Sequence, residues 1–371
     1  MTMSALVAVD LFAGGGGLTV GLKRAGFRVA AAVEIDPRAY STYTANHPEV
    51  KAFKQDIRTV LGSSISGLSN AGGLHLISGC PPCQGFTSLT SKYRRDDPRN
   101  ALISEMGRLV EETKPMAVMM ENVPGLLMRG KRRFNAFVRR LEALGYVVTY
   151  GVLQVADYGV PQFRRRLVLL AGLGFEIPLP LPTHAKGGTK KLPSWRTVRD
   201  AISGMPKPKT LEAAKKVGPP QETDWHIVRT LSVENKRRIK AVRPGKNWWS
   251  LPAELRPNCH KGEYRGFGNV YGRMKWGETS PTITGGCTTL SKGRFGHPSA
   301  DRTISVREAA LLQTFPKDYL IDTPHMDAAC NIIGNALPCD FAEALARQCA
   351  THIKRHLEAS AKRLRKTRRK H

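Results

Sequence analysis

Between Leu6 and Gly174 short apolar runs alternate with longer amphipathic ones, and that alternation leaves the chain few folds to choose from. LVAVDLF (6–12), VAAAVE (29–34), LHLIS (74–78), MAVMME (116–121), YVVTYGVL and RLVLLAG read as buried strands. Leu18 to Ala25, the stretch opened by Asp36-Pro37, ALISEMGRLVEETK (101–114) and FNAFVRRLEAL (134–144) carry helical spacing. Strands that are apolar throughout must be covered on both faces, and helices between them supply the crossovers that parallel strands need. The fold class expected is α/β, a doubly wound and mostly parallel sheet. After Gly174 the texture changes. EIPLPLPTHAKGGTKKLP has no periodicity and reads as a linker, and residues 190–300 suggest a smaller, irregular, loop-rich domain. Periodicity returns at VREAALLQTF and at CDFAEALARQCATHIKRHL, a closing helix.

Charge divides the chain differently. Of 371 residues, 58 are Lys or Arg and 30 are Asp or Glu, a net of +28. Residues 1–90 hold 7 basic and 5 acidic groups, whereas 184–303 hold 24 and 9, a net of +15. Residues 304–353 are net −3, and the tail 354–371 holds 9 basic groups and 1 acidic one. Charge this uneven marks a middle segment and a tail suited to a polyanion rather than a uniformly solvated surface. No apolar run approaches 18 residues and no cleavable leader is evident, so a cytoplasmic, nucleoid-associated protein is expected. Seven scattered cysteines argue against a disulfide framework.

Four constellations carry chemistry. Asp10-Leu-Phe12-Ala-Gly14-Gly-Gly16-Gly17 places glycines between a strand and a helix, where backbone N–H groups can approach a ligand closely. Glu34, twenty residues beyond Gly14, can accept from two ribose hydroxyls. Thr19 stands where a dinucleotide fingerprint has its third glycine, which favours a nucleoside without a pyrophosphate, such as S-adenosylmethionine. Asp56, after a third strand, is placed to accept from an adenine amino group. Second, Gly79-Cys80-Pro81-Pro82-Cys83-Gln84 leaves a strand at the carboxyl edge of the sheet, where open α/β folds bind ligands. Its C-x-x-C spacing raises zinc or redox readings. No second ligand pair follows, so no metal is expected, and a rigid turn presenting a nucleophilic thiol fits better. Third, Glu121-Asn122-Val123 ends a strand on the same edge, with the carboxylate placed to donate or share a proton. Fourth, Arg164 and Arg166 in Gln162-Phe-Arg-Arg-Arg alternate onto one face of a strand, so two guanidinium groups can converge on one acceptor while Arg165 points away.

Taken in order, these blocks resemble the DNA (cytosine-5-)-methyltransferase family: DLFAGGGG, VEID, QDI, PPCQGF, ENV, QFRRR, then HPSADRTISVREAALLQTFP (297–316) and IGNALP (333–338). A long variable insert separates QFRRR from the later blocks, as in the family. Cys80 departs from the usual glycine and leaves the nucleophile at Cys83. The resemblance implies a Rossmann-like, S-adenosylmethionine-dependent enzyme of the prokaryotic or phage type. It would methylate carbon 5 of a flipped-out cytosine in double-stranded DNA through a covalent Cys83 adduct at carbon 6, for restriction-modification or stand-alone marking. Glu121, Arg164 and Arg166 complete the implied catalytic set. Asp10, Phe12, Gly14, Gly16, Glu34, Ile35, Asp56, Ile57, Pro82, Leu102, Asn335 and Ala336 are the implied cofactor contacts. Gln84, Thr282, Thr284 and Arg302 are the implied DNA contacts, and Trp248 and Trp249 further candidates.

By the same analogy, 1–183 plus 322–353 form a discontinuous cofactor-binding and catalytic domain. Residues 184–321 form the target-recognition domain, and 354–371 a disordered basic tail. The protein is expected to be monomeric, free of membranes, with any cognate restriction endonuclease acting separately. Two rivals keep part of the resemblance. The tRNA-methylating branch typically carries a Cys-Phe-Thr element, which is absent here. A catalytically silent DNA-binding homologue would lack the thiol or the ENV carboxylate, and both are present.

Overall fold

In the computed structural model, which describes residues 5–68, 73–82, 98–260 and 268–368, seven strands form one sheet flanked by helices. The first half runs β1 (Leu6–Leu11), α1 (Gly17–Arg24), β2 (Phe27–Val33), α2 (Pro37–Asn46), β3 (Lys51–Phe53), α3 (Gly62–Ser66) and β4 (Leu76–Gly79). It continues through α4 (Leu102–Thr113), β5 (Ala117–Asn122), α5 (Lys131–Ala143), β6 (Tyr146–Gln154) and β7 (Arg165–Leu173). The strand order is β3-β2-β1-β4-β5-β7-β6, and β7 alone runs antiparallel to its neighbours.

The continuous apolar runs are explained by two cores. In β1, Leu6 and Ala8 face the layer holding Leu18 and Leu22 of α1. Val7, Val9 and Leu11 face the opposite layer, with Met106 and Leu109 of α4 and Phe134 and Phe137 of α5. The period of two in the strand and the apolar stripes of the helices thus meet across both faces. α2 starts where the sequence places it, because the Asp36 carboxylate accepts from the N–H groups of Arg38 and Ala39 and Pro37 fills the first helical position.

Beyond β7 the elements shorten: α6 (Val198–Ile202), β8 (Lys209–Thr210), α7 (Leu211–Lys215), β9 (Ile227–Val228) and α8 (Val233–Ala241). The chain then regains longer helices in α9 (Val306–Leu312), α10 (Met326–Asn335) and α11 (Cys339–Arg368). Much of this half packs around a third core holding Trp225, Phe295, Phe315 and Tyr319, which reaches Val20 of α1. A smaller fourth core surrounds Trp248.

Two sequence expectations need correction. The tail from residue 354, expected to be disordered, continues α11 as helix through Arg368. Its residues are mostly good helix formers, Leu357 still packs on the first core, and His356 stacks on Phe175 at 4.4 Å. α10 is a helix that the sequence analysis does not include, although Asp327, Asn331 and Asn335, spaced four apart, form an exposed polar stripe on an otherwise buried segment.

Candidate active site

Parallel strands deliver their carboxyl ends to one edge, and the antiparallel β7 delivers its amino end to the same edge. In the register, Glu121 lies opposite Val168 and Asn122 opposite Leu167, so Arg166 arrives beside the carboxylate that ends β5. Arg166 Nε stands 2.6 Å from Glu121 Oε1, both side chains being nearly buried. The N–H is not well aligned with that oxygen, so the contact is chiefly an ion pair. Arg166 also donates to the Arg165 carbonyl at 2.7 Å. Arg165 itself is exposed, as alternation requires.

Arg164 is buried and donates to the carbonyls of Ile283, at 3.1 Å, and Gly334, at 3.3 Å. Burial, with Arg166 next to it, pulls its guanidinium down to about 9. Arg164 therefore ties the start of β7 to two later segments. Gln162 extends the same tie. Its amide donates to Gln313 Oε1 at 2.6 Å and accepts from Ile283 N at 3.0 Å, while Gln313 donates to the carbonyls of Ile333 and Ala336. Both amides are fully buried. QFRRR, SPTITGG, LLQTFP and IGNALP, spread over 170 residues, are one hydrogen-bonded knot. Neither glutamine has a role in the sequence expectations; an amide inside an otherwise apolar helix such as VREAALLQTF is the signal that points to one.

The strand β4 leads to the Cys80-Pro81-Pro82 turn. Asn122 Nδ2 donates to the Pro81 carbonyl at 3.1 Å, fastening this turn to the end of β5. Cys83 and Gln84 lie outside the described residues. Cys80 is half-buried near Glu121 and Asp10, and burial, reinforced by those carboxylates, holds its thiol well above the ordinary value. A thiol so held is neutral and a poor nucleophile.

At β1 the glycine turn is built on left-handed backbone, with φ of +55° at Gly14 and +90° at Gly16. Gly14 N donates to Glu34 Oε2 at 2.7 Å, and Asp36 N donates to Glu34 Oε1 at 2.7 Å. Burial raises the Glu34 carboxyl while those two N–H groups oppose the rise. A Cβ on Gly14 would meet only open space, whereas one on Gly17 would meet the Leu337 carbonyl of the IGNALP segment at 2.7 Å. Tyr319 donates to the Gly15 carbonyl at 2.5 Å and pins the turn from below. Asp10 is fully buried, accepts from Thr19 Oγ1 at 2.7 Å and leaves Oδ1 without a partner among the described residues; burial pushes its carboxyl up to about 7.

The other expected cofactor contacts differ in their surroundings. Phe12 follows β1, and Ile35 is 61% exposed beside Glu34, an aliphatic surface open to a flat ligand. Asp56 caps the short turn Ile57–Thr59 and pairs with Arg58, which holds its carboxyl below the usual range, and Ile57 is core. Pro82 and Leu102 are half-buried, Asn335 is exposed and Ala336 packs near Gly17.

Among the expected DNA contacts, Thr282 donates to the Phe163 carbonyl at 3.1 Å and Thr284 sits one residue from Ile283, so both border the arginine strand. Arg302 has another task. Its guanidinium pairs with both oxygens of the fully buried Glu308, at 2.7 and 2.8 Å, inside the capping box that starts α9. Trp248 is core, and Trp249, 53% exposed, stacks on it at 3.9 Å.

The chain matches the C-5 cytosine-specific DNA methylase family over residues 6–351. It is similar to the Type II methylase M.HgiDII of Herpetosiphon aurantiacus, at 40% identity over 94% of this chain and 95% of that protein. It is also similar to the Type II methyltransferase M1.HphI of Haemophilus parahaemolyticus, at 33% identity over 92% and 86% of the two chains. Among solved structures, a DNA modification methyltransferase encoded within an E. coli prophage shares the fold with a TM-score of 0.71, at 24% identity, covering 94% of this chain and all of that one. With the match running over nearly all of its length, the chain belongs to the C-5 cytosine-specific DNA methylase family and is a DNA (cytosine-5-)-methyltransferase of the S-adenosylmethionine-dependent class.

Proposed function

We propose that the protein methylates carbon 5 of a cytosine swung out of double-stranded DNA, by transient addition of Cys83 to carbon 6. The observation that supports it most is the meeting of Glu121, Arg166 and the Pro81–Pro82 turn at one end of the sheet, within reach of the glycine turn.

Carbon 5 of cytosine is a weak nucleophile inside an aromatic ring. Addition of the Cys83 thiolate to carbon 6 breaks the 5,6 double bond and makes carbon 5 enamine-like. Glu121 holds or shares a proton at ring nitrogen 3, where charge develops, and Arg166 fixes that carboxylate and offsets its charge. Loss of the carbon 5 proton and elimination of the thiolate then restore the ring. Arg164 acts as a positioning residue, since its Nη1 bridges the carbonyls of Ile283 and Gly334 and ties the start of β7 to both.

The residues around Gly14 fit S-adenosylmethionine: open space over Gly14, a held carboxylate at Glu34 and the exposed face of Ile35. When bound, the cofactor supplies an electrophilic methyl group. Asp10, Phe12, Gly16, Asp56, Ile57, Pro82, Leu102, Asn335 and Ala336 complete the proposed surroundings. A thiol cannot reach carbon 6 in the plane of a stacked base, so the nucleotide must leave the helix, at about a few kcal/mol offset by phosphate and pocket contacts.

DNA lies against the +15 segment between residues 184 and 303, which is proposed to read the target, with Gln84, Thr282 and Thr284 near the backbone. The Type II names of the relatives support a role in restriction-modification. Bisulfite sequencing of DNA from cells expressing the protein tests the activity and gives the target at once. Protected cytosines at one recurrent sequence are expected; a uniform absence of protection would refute the reading.

A further inference from the structure

α11 begins at the active edge of the sheet and ends at the opposite one. Leu337, just before it, faces Gly17, while farther along Arg347 donates to the Arg24 carbonyl at 3.0 Å, so the helix runs beside α1 in the same direction. At its far end Leu357, Glu358 and Ala361 line a shallow cleft with Leu6, Gly26 and His75. Those partners belong to the starts of β1, β2 and β4, the edge remote from Glu121 and Cys80. From there α11 continues past the body to Arg368, with Ala361, Lys362, Arg363, Arg365 and Lys366 exposed. The last ten residues of the chain hold seven Lys or Arg and no acid.

Helix energetics do not call for this charge. The macrodipole favours cations only within the last turn, and like charges three and four residues apart oppose the helix. Solubility does not call for it either, in a chain already at +28. A polyanion does. The DNA being methylated is out of reach: six-residue strands set the two edges about 20 Å apart, and the exposed helix end carries the charge about another 10 Å away. Duplex DNA, stiff over about 150 bp, cannot bend round the body to meet it.

We propose that the basic end of α11 binds a second DNA segment, so that the enzyme holds two duplexes on opposite edges of its sheet and passes between them. The inference rests on the reading of duplex DNA as substrate. It concerns binding at a separate surface, read by stoichiometry and release as well as by methylation.

The test compares the full chain with a variant carrying Lys362→Gln, Arg363→Gln, Arg365→Gln and Lys366→Gln, which keeps helix-forming side chains and removes four charges. Each is saturated with a labelled 25-bp duplex containing the methylated sequence, then challenged with unlabelled duplex of unrelated sequence. Sedimentation should show two duplexes per wild-type chain at low salt and one per variant chain. Binding of the second duplex should weaken with salt with a log–log slope of about −4 or steeper. Release of the labelled duplex should accelerate with challenger concentration for the wild type alone, while affinity for the first duplex and single-turnover methylation change less than about twofold. One duplex per wild-type chain would overturn the proposal, as would a variant that loses first-duplex affinity in parallel. So would preferential displacement of the second duplex by RNA or by phosphatidylglycerol vesicles. Uptake of a second duplex by a chain that transfers no methyl group would overturn the proposed activity and leave the arm standing.

Discussion

At the scale of single residues, the buried polar groups carry the argument. Gln162 and Gln313 satisfy each other and three backbone groups in a place water does not reach. Replacing either with Leu leaves buried donors or acceptors unpaired, at about 1–3 kcal/mol each. Urea unfolding should show the double variant losing less than the sum of the two singles; strict additivity would mean that the amides do not act as a pair. Asp10 makes a prediction with a sign. Its carboxyl, raised by burial from 3.8 to about 7, binds a proton more tightly folded than unfolded. The stability this carries is complete below pH 3.8 and is lost as pH rises through 7. His47, held down to about 4 by burial and by Lys23, works the other way, gaining stability as pH rises from 4 to 6.5. Subtracting the unfolding free energy of Asp10→Asn from that of the wild type cancels His47 and isolates Asp10. The difference should fall between pH 4 and 7, by up to about 1.4 kcal/mol per unit, and be flat above. A difference that rises over that window would place the Asp10 carboxylate in a site that stabilises its charge.

At the scale of elements, what could be read in advance and what could not separate cleanly. The strands β1, β2, β4, β5 and β6 and the helices α1, α2, α4 and α5 were legible because an apolar run or a stripe states its own periodicity. The direction of β7 was not, since RLVLLAG is as apolar as a parallel strand and nothing local records which way it runs. Yet that reversal is what sets Arg166 beside Glu121. The candidate catalytic blocks were legible one by one through residue type, whereas their knot through Gln162 and Arg164 depends on contacts across 100 residues and more. Arg302 is a related case: an arginine in a basic segment looks free until the buried Glu308 is placed next to it. Arg302→Ala should cost about 3 kcal/mol by stranding that carboxylate, with the salt slope of DNA binding unchanged. A lower salt slope with full thermal stability would return Arg302 to the DNA. α5 gives the complementary case. It opens with Lys131, Arg132 and Arg133, without a side-chain cap or an acid in its first turn, against the preference of its dipole. Arg132→Glu should raise stability by about 0.5 kcal/mol in thermal unfolding and weaken DNA binding if this end faces the duplex.

At the scale of the whole molecule, one sheet separates two tasks. Its carboxyl edge gathers the glycine turn, the Pro81–Pro82 turn, Glu121 and the arginines, and most of the net positive charge sits on the segment that follows the sheet and on the far end of α11. Affinity for duplex DNA should therefore fall by about 10³-fold or more between 50 and 200 mM salt if about six phosphates are contacted. A flat response would mean that the basic segment does not touch the backbone. The account as a whole depends on Cys83 adding to a cytosine ring, and a duplex with 5-fluorocytosine at the target position measures this directly, because fluorine cannot leave carbon 5 as a proton does. Incubated with S-adenosylmethionine, the wild type should form a denaturant-stable protein–DNA complex whose cross-linked peptide contains Cys83, and Cys83→Ser should form none. A wild-type protein that methylates ordinary DNA yet traps no fluorinated duplex, or traps it through another residue, would contradict the mechanism.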